Sequence, residues 1–159
     1  MKAVLISIQP KWCELIANGK KTVEVRKTKP KLETPFKCYI YQTRKTWVYD
    51  IYSRIADWQG KVIGEFVCDT IIADKTFGHD ALFNAMSCMS VAEIASYCVK
   101  NPMYGWHISD LVIYDKPKEL REFHLPCIPE CDGLCEYGCL RPLKRTPQSW
   151  CYVERLGEG

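Results

Sequence analysis

Within eight residues, Gly19-Lys20-Lys21-Thr22-Val23-Glu24-Val25-Arg26, the chain gathers an amine, a carboxylate and a guanidinium. Residues 22–26 alternate polar and apolar, the period of a β-strand with one wet face. On such a strand Thr22, Glu24 and Arg26 share one face, while Val23 and Val25 point to a core. A carboxylate and a guanidinium two residues apart can hold a common ligand or each other. Lys21, at the strand's entrance beside Gly19, reaches the same face. Like charge on Lys20 and Arg26 would lower its pKa and favour a neutral, nucleophilic amine. As an enzyme, this set would use Lys21 as nucleophile or base, with Glu24 assisting. As a binding site, Lys20, Lys21, Glu24 and Arg26 would hold a phosphate-bearing ligand. The same spacing also suits a surface strand with an ordinary Glu–Arg pair, which contributes little.

A second set of reactive side chains lies far along the chain. Of ten cysteines, Cys13, Cys38, Cys68, Cys88 and Cys98 are scattered singly through apolar segments, where a thiol behaves as a small hydrophobe. Cys127, Cys131, Cys135 and Cys139 instead recur every fourth residue. Pro129, Gly133 and Gly138 argue against a helix there. Turns at those residues would fold four thiolates around a structural, tetrahedral Zn²⁺, with His124 as a spare ligand. A reduced loop without metal and an iron–sulfur cluster are the other readings of this spacing.

The elements that must position these residues are mainly strands. Residues 2–8 read as a buried strand. Pro10 opens a short helix carrying Trp12, Leu15 and Ile16 on one side, and Asn18-Gly19 closes it. Strands follow at 22–26 and 36–42. Residues 44–59, with Trp47, Tyr49, Tyr52 and Trp58, fit either a strand or an irregular excursion. The longest strand is expected over 61–72. Ser90 and Glu93 form a capping-box pattern for a helix ending at Asn101-Pro102. Another strand runs over 104–114, stopped by Lys116-Pro117, and the last over 149–155. Between them lies a Cys-, Gly- and Pro-rich insert at about 121–147. The expected architecture is α+β: one domain over 1–159, a partly closed barrel flanked by two main helices.

Charge is uneven along the 159 residues. Residues 1–50 hold eleven Lys or Arg against four acidic side chains, a net of +7 in a chain whose total is +3. Concentrated basic charge attracts phosphate, though it also serves as a solvated face. No apolar run is long enough to cross a membrane. The apolar stretch 3–8 stops at Gln9-Pro10-Lys11 without the marks of an export signal. With unpaired cysteines expected, the chain is placed in the reducing cytoplasm.

The segment 19–26 resembles the signature of the ASCH family, Gly-x-Lys-x-x-Glu-x-Arg, with Gly19, Lys21, Glu24 and Arg26 at its four positions. Further motifs follow in order: Gly60-Lys61-Val62-Ile63-Gly64-Glu65-Phe66 is similar to that family's central strand, and Met89-Ser90-Val91-Ala92-Glu93-Ile94 to the start of its later helix. Residues 104–111 and 147–154 are similar to closing segments of its longer bacterial and phage-borne members. The resemblance implies a PUA-like, mostly antiparallel β-barrel whose Lys–Glu–Arg segment faces RNA or a nucleotide-like ligand. It also implies cleft walls at Trp12, Trp106, Gln148, Ser149 and Trp150, where a base can stack on the indoles. His107 falls on the opposite face from Trp106 and reads as a structural hydrogen-bonder. Some small family members are amidohydrolases that use a lysine equivalent to Lys21 and a threonine nucleophile. This chain has Glu24 at the threonine's position, and Met86-Ser87-Cys88-Met89 where their acidic residue lies.

Three functions follow. The first is a module holding RNA or a nucleotide in a basic cleft. The second is a hydrolase of RNA or a modified nucleoside, using Lys21 and Glu24. The third is a zinc-stabilised module for a protein partner of unspecified kind.

Overall fold

A computed structural model describes residues 1–45, 53–74, 80–97, 102–127 and 141–157. Its elements are β1 (Lys2–Ile8), α1 (Pro10–Ala17), β2 (Val23–Arg26), β3 (Phe36–Gln42), β4 (Val62–Asp74), α2 (Ala81–Ser87), α3 (Val91–Tyr97), β5 (Met103–Lys118) and β6 (Trp150–Glu154). The strands form one sheet in the order β2-β5-β4-β3-β1-β6. The β1–β3 pair is parallel and the remaining pairs are antiparallel. A parallel pair needs a long crossover, and residues 9–35 supply one that carries both α1 and β2.

Strand β1 is apolar without a break from Ala3 to Ile6 because both of its faces are covered. Val4, Ile6 and Ile8 pack with Cys13 and Ile16 of α1 and with Phe66 and Trp106. Ala3 and Leu5 face a second cluster with Tyr39, Val62, Phe123, Leu143 and Val153. Helix α1 begins at Pro10, whose fixed φ suits the first helical position. It ends before Gly19, at φ +78, a conformation glycine adopts without steric cost.

Three differences from the expected elements stand out. First, β5 continues through Pro117, with register shifts against β4 that absorb the irregularity. Second, a third helix, α2, is present. Asp80 caps it, its carboxylate accepting from the Leu82 and Phe83 N–H groups at 2.9 and 3.1 Å. Helix α2 seats on β5 at Gly105, where an added Cβ would lie 2.5 Å from Phe83 and 2.7 Å from Val23. The missing side chain thus makes room for Phe83.

The third difference concerns closure. Strands β2 and β6 are the two edges of the sheet, and no backbone ladder joins them among the described residues. Side chains span the gap instead. Trp150 Nε1 donates to Thr28 Oγ1 at 3.0 Å, and the Lys31 N–H donates to the Tyr152 hydroxyl at 2.8 Å. The expected barrel is therefore a curled open sheet with a side-chain seam.

The base of the cysteine-rich insert is docked rather than free. Leu125 N–H donates to Arg141 O and Leu143 N–H to Phe123 O, each at 2.8 Å. Phe123 and Leu143 are buried in the second cluster. Trp47, Tyr49, Tyr52, Cys98, Cys131, Cys135 and Cys139 lie outside the described residues.

Candidate functional site

The side chains of Lys21, Glu24 and Arg26 do converge, but not on a wet strand face. Strand β2 is buried on both sides, and the three residues are 2%, 5% and 7% exposed. The alternation still holds, since Val23 and Val25 pack with Phe83, Ile94 and Met103. Glu24 lies opposite Trp106 in the β2–β5 pairing, so the polar face rests on an indole. A second layer then covers it.

Glu24 sits between the two cations. Its Oε1 accepts from Arg26 Nη2 at 2.8 Å, and Lys21 Nζ stands 3.4 Å from its Oε2. Arg26 Nη2 also donates to the Ser7 carbonyl at 2.6 Å, and Nη1 to the Ser149 hydroxyl at 3.3 Å. Three elements thus aim one planar guanidinium, a task its fork of donors suits better than an ammonium would. Lys21 Nζ donates to Ser87 O, the last residue of α2, at 2.6 Å and lies 4.8 Å from the Trp12 ring centroid. Gly105 admits Phe83, Phe83 seats α2, and α2 presents Ser87 to the amine.

Burial lowers the Lys21 pKa from its ordinary 10.5, and the Glu24 carboxylate opposes that shift. Repulsion from Arg26 contributes less than either. The expected cause is therefore corrected: desolvation, not like charge, dominates. Two buried cations against one carboxylate leave one positive charge uncompensated. Arg26 Nε and Glu24 Oε2 are buried without a hydrogen-bond partner among the described residues.

The trio opens onto a cleft of about 320 Å³, whose lining also includes Ser7, Gln9, Trp12, Arg44, Lys45, Gln148 and Ser149. The charged groups in that lining are Lys21, Arg26, Arg44, Lys45 and Glu24. Of the residues expected to bind ligand, Lys21, Glu24, Arg26, Trp12, Gln148 and Ser149 meet here. Three do not. Lys20 is exposed outside the cleft. Trp106 is fully buried, edge-on to Phe36 in the core, because its face of the strand lies beneath Glu24. Trp150 packs against Trp106 and Tyr152 in the seam and does not line the cleft. His107 is directed to Asp69, with Nδ1 2.7 Å from its carboxylate oxygen, a structural bond as expected.

The sequence reading missed Ser7, Gln9, Arg44 and Lys45. Arg44 and Lys45 figured only in the charge balance, because the segment after β3 carried no periodic pattern to place them. Of the four proposed metal ligands, Cys127 is described and exposed; its N–H donates to Glu154 at 3.2 Å. No group of three or more candidate ligands is found among the described residues.

A curled six-stranded α+β sheet with a polar cleft at its seam is the PUA-like fold. The ASCH domain model matches residues 6–122, and the chain belongs to the ASCH domain family. Its structure is similar to crystal structures of ASCH from Zymomonas mobilis. The match to a tyrosine-to-phenylalanine mutant of that protein has a TM-score of 0.66 at 18% identity, covering 98% of this chain and 92% of that one. The unsubstituted protein gives 0.65 at 18% identity, with 96% and 88% covered. A serine-to-alanine mutant gives 0.65 at 18%, with 96% and 89% covered. These likenesses concern the fold. No curated protein matches the sequence. No helix among the described residues is long and apolar enough to cross a membrane.

Proposed function

We propose that this ASCH domain binds RNA, or a nucleotide-like anion, in the cleft above Lys21, Glu24 and Arg26. The observation that carries the reading is the uncompensated positive charge of that buried trio, opening beneath Arg44 and Lys45. A buried unpaired charge is costly unless a partner arrives, and a phosphate is such a partner. Guanidinium and ammonium donors match its oxygens, and Trp12 offers a face on which a base stacks. Cys13, Cys38 and Cys68 are thiols buried in the core, where they serve as small hydrophobes, and a reducing, cytoplasmic setting is part of the proposal. Zn²⁺ on Cys127, Cys131, Cys135 and Cys139 belongs to the same proposal, as a staple for the insert.

The test is equilibrium binding of labelled single-stranded RNA across a salt series, with the rim variant Arg44→Ala/Lys45→Ala beside the native chain. Affinity should fall with salt, by about 0.7 log units per log unit of salt for each phosphate contact, and the rim variant should bind more weakly. Absence of binding to RNA and to nucleotides at low salt overturns the reading.

One observation favours a second reading, hydrolysis of RNA or a modified nucleoside. An amine with a lowered pKa stands 3.4 Å from a carboxylate at the floor of the cleft, a pairing that suits proton transfer. Under that reading Lys21→Met abolishes turnover while leaving binding largely intact.

A further inference from the structure

A second hollow, of about 640 Å³, lies beyond the rim of the cleft, and Arg44 lines both. Its other cations are Arg121 and Lys144. They come from opposite ends of the cysteine-rich insert and are brought together by the paired backbone of residues 123–125 and 141–143. The carboxylate in its lining, Glu119, is already bound by Lys61 Nζ at 2.6 Å, and Glu122 is turned back onto the Glu119 N–H. Arg44 is free to lie across the turn at residue 60 because that residue is glycine. An added Cβ there would fall 2.5 Å from Arg44 Nε. The two hollows therefore share Arg44 as a common wall, with Lys21 and Arg26 on one side of it and Arg121 and Lys144 on the other, and a cleft of about 320 Å³ is at the small end for a complete ligand.

We propose that the ligand is a segment of single-stranded RNA rather than an isolated nucleotide, and that its chain crosses Arg44 from the cleft into this hollow, where Arg121 and Lys144 contact its phosphates. The inference rests on the nucleic-acid reading above and adds to it the polymeric class of the ligand. Grooves that track a sugar–phosphate backbone without reading bases combine such spaced cations with a stacking aromatic, the part Trp12 takes in the cleft.

The experiment compares a mixed-sequence RNA of about ten nucleotides with the four nucleoside 5′-monophosphates, on the native chain and on Arg121→Ala/Lys144→Ala. Both substitutions are at exposed positions. The native chain should bind the RNA at least about tenfold more tightly than the monophosphates. The double variant should lose about tenfold in RNA affinity, with a salt slope shallower by about 1.4, and hold the monophosphates as before. If monophosphates bind but added length brings no affinity, or the double variant keeps both RNA affinity and slope, the crossing is refuted while the cleft stands. Should neither ligand bind the native chain, both readings fall.

Discussion

Arg26 ends β2 and Ser149 directly precedes β6, the two edge strands, yet the Arg26 guanidinium donates to the Ser149 hydroxyl at 3.3 Å. The barrel seam and the candidate site thus share a side chain. Arg26→Ala would leave Glu24 buried with a looser partner and free the seam, a loss of about 3–5 kcal/mol. Arg26→Lys keeps the charge but cannot serve Ser7, Glu24 and Ser149 together, and should lose less. Urea denaturation measures both, and an Arg26→Ala protein as stable as the native would deny the seam its anchor.

Two tryptophans named together from the sequence should behave differently. Trp12 lines the cleft and Trp106 is core. Trp12→Ala should cost RNA binding about 1–3 kcal/mol, the worth of a stacked base, with a modest effect on stability. Trp106→Ala should destabilise the fold by about 3–5 kcal/mol. Equal stability losses in the two variants would contradict the assignment.

Stability should decline as pH rises above about 9. Burial pushes the Cys13 and Cys38 thiols well above their ordinary 9.0, and Cys68 to about 12. The unfolded chain releases these protons near pH 9 and the folded chain retains them, so each contributes a fall of up to about 1.4 kcal/mol per pH unit. Lys21 acts in the opposite sense. Its folded pKa is below 10.5, so between the two values the unfolded chain binds the extra proton and stability rises with pH. Three thiols outweigh one amine. Denaturation midpoints from pH 8 to 10.5 should fall, more shallowly in Cys38→Ala/Cys68→Ala and more steeply in Lys21→Met. A midpoint that rises over that range would show the amine dominant.

Zinc is checked by elemental analysis of protein purified without chelator. One Zn²⁺ per chain is expected, reduced in Cys127→Ser, with a lower Tm after chelation. Metal-free protein of unchanged stability would exclude the four-thiolate site.

Much of this molecule is written in local pattern. The β1 run, the Pro10 and Gly19 boundaries of α1, the Ser90–Glu93 capping box and the alternation of 22–26 each depend on residues within a turn or two, and all appear as read. So does the membership of Lys21, Glu24 and Arg26 in one cluster, because strand periodicity alone puts Glu24 and Arg26 on one face.

Tertiary structure decided the rest. Whether a strand face is wet or covered depends on what packs over it, and here Trp12 of α1, Ser7 of β1 and Ser149 beside β6 close over the polar face of β2 while α2 covers its valines. Desolvation, rather than a neighbouring lysine, consequently shifts the Lys21 amine. Trp12 and Trp106 carry the same side chain, and only the path of the sheet sends one to the cleft and the other beneath Glu24. Arg44, Arg121 and Lys144 are up to a hundred residues apart in the chain. Their shared surface arises from long-range backbone pairing that no short window of sequence contains.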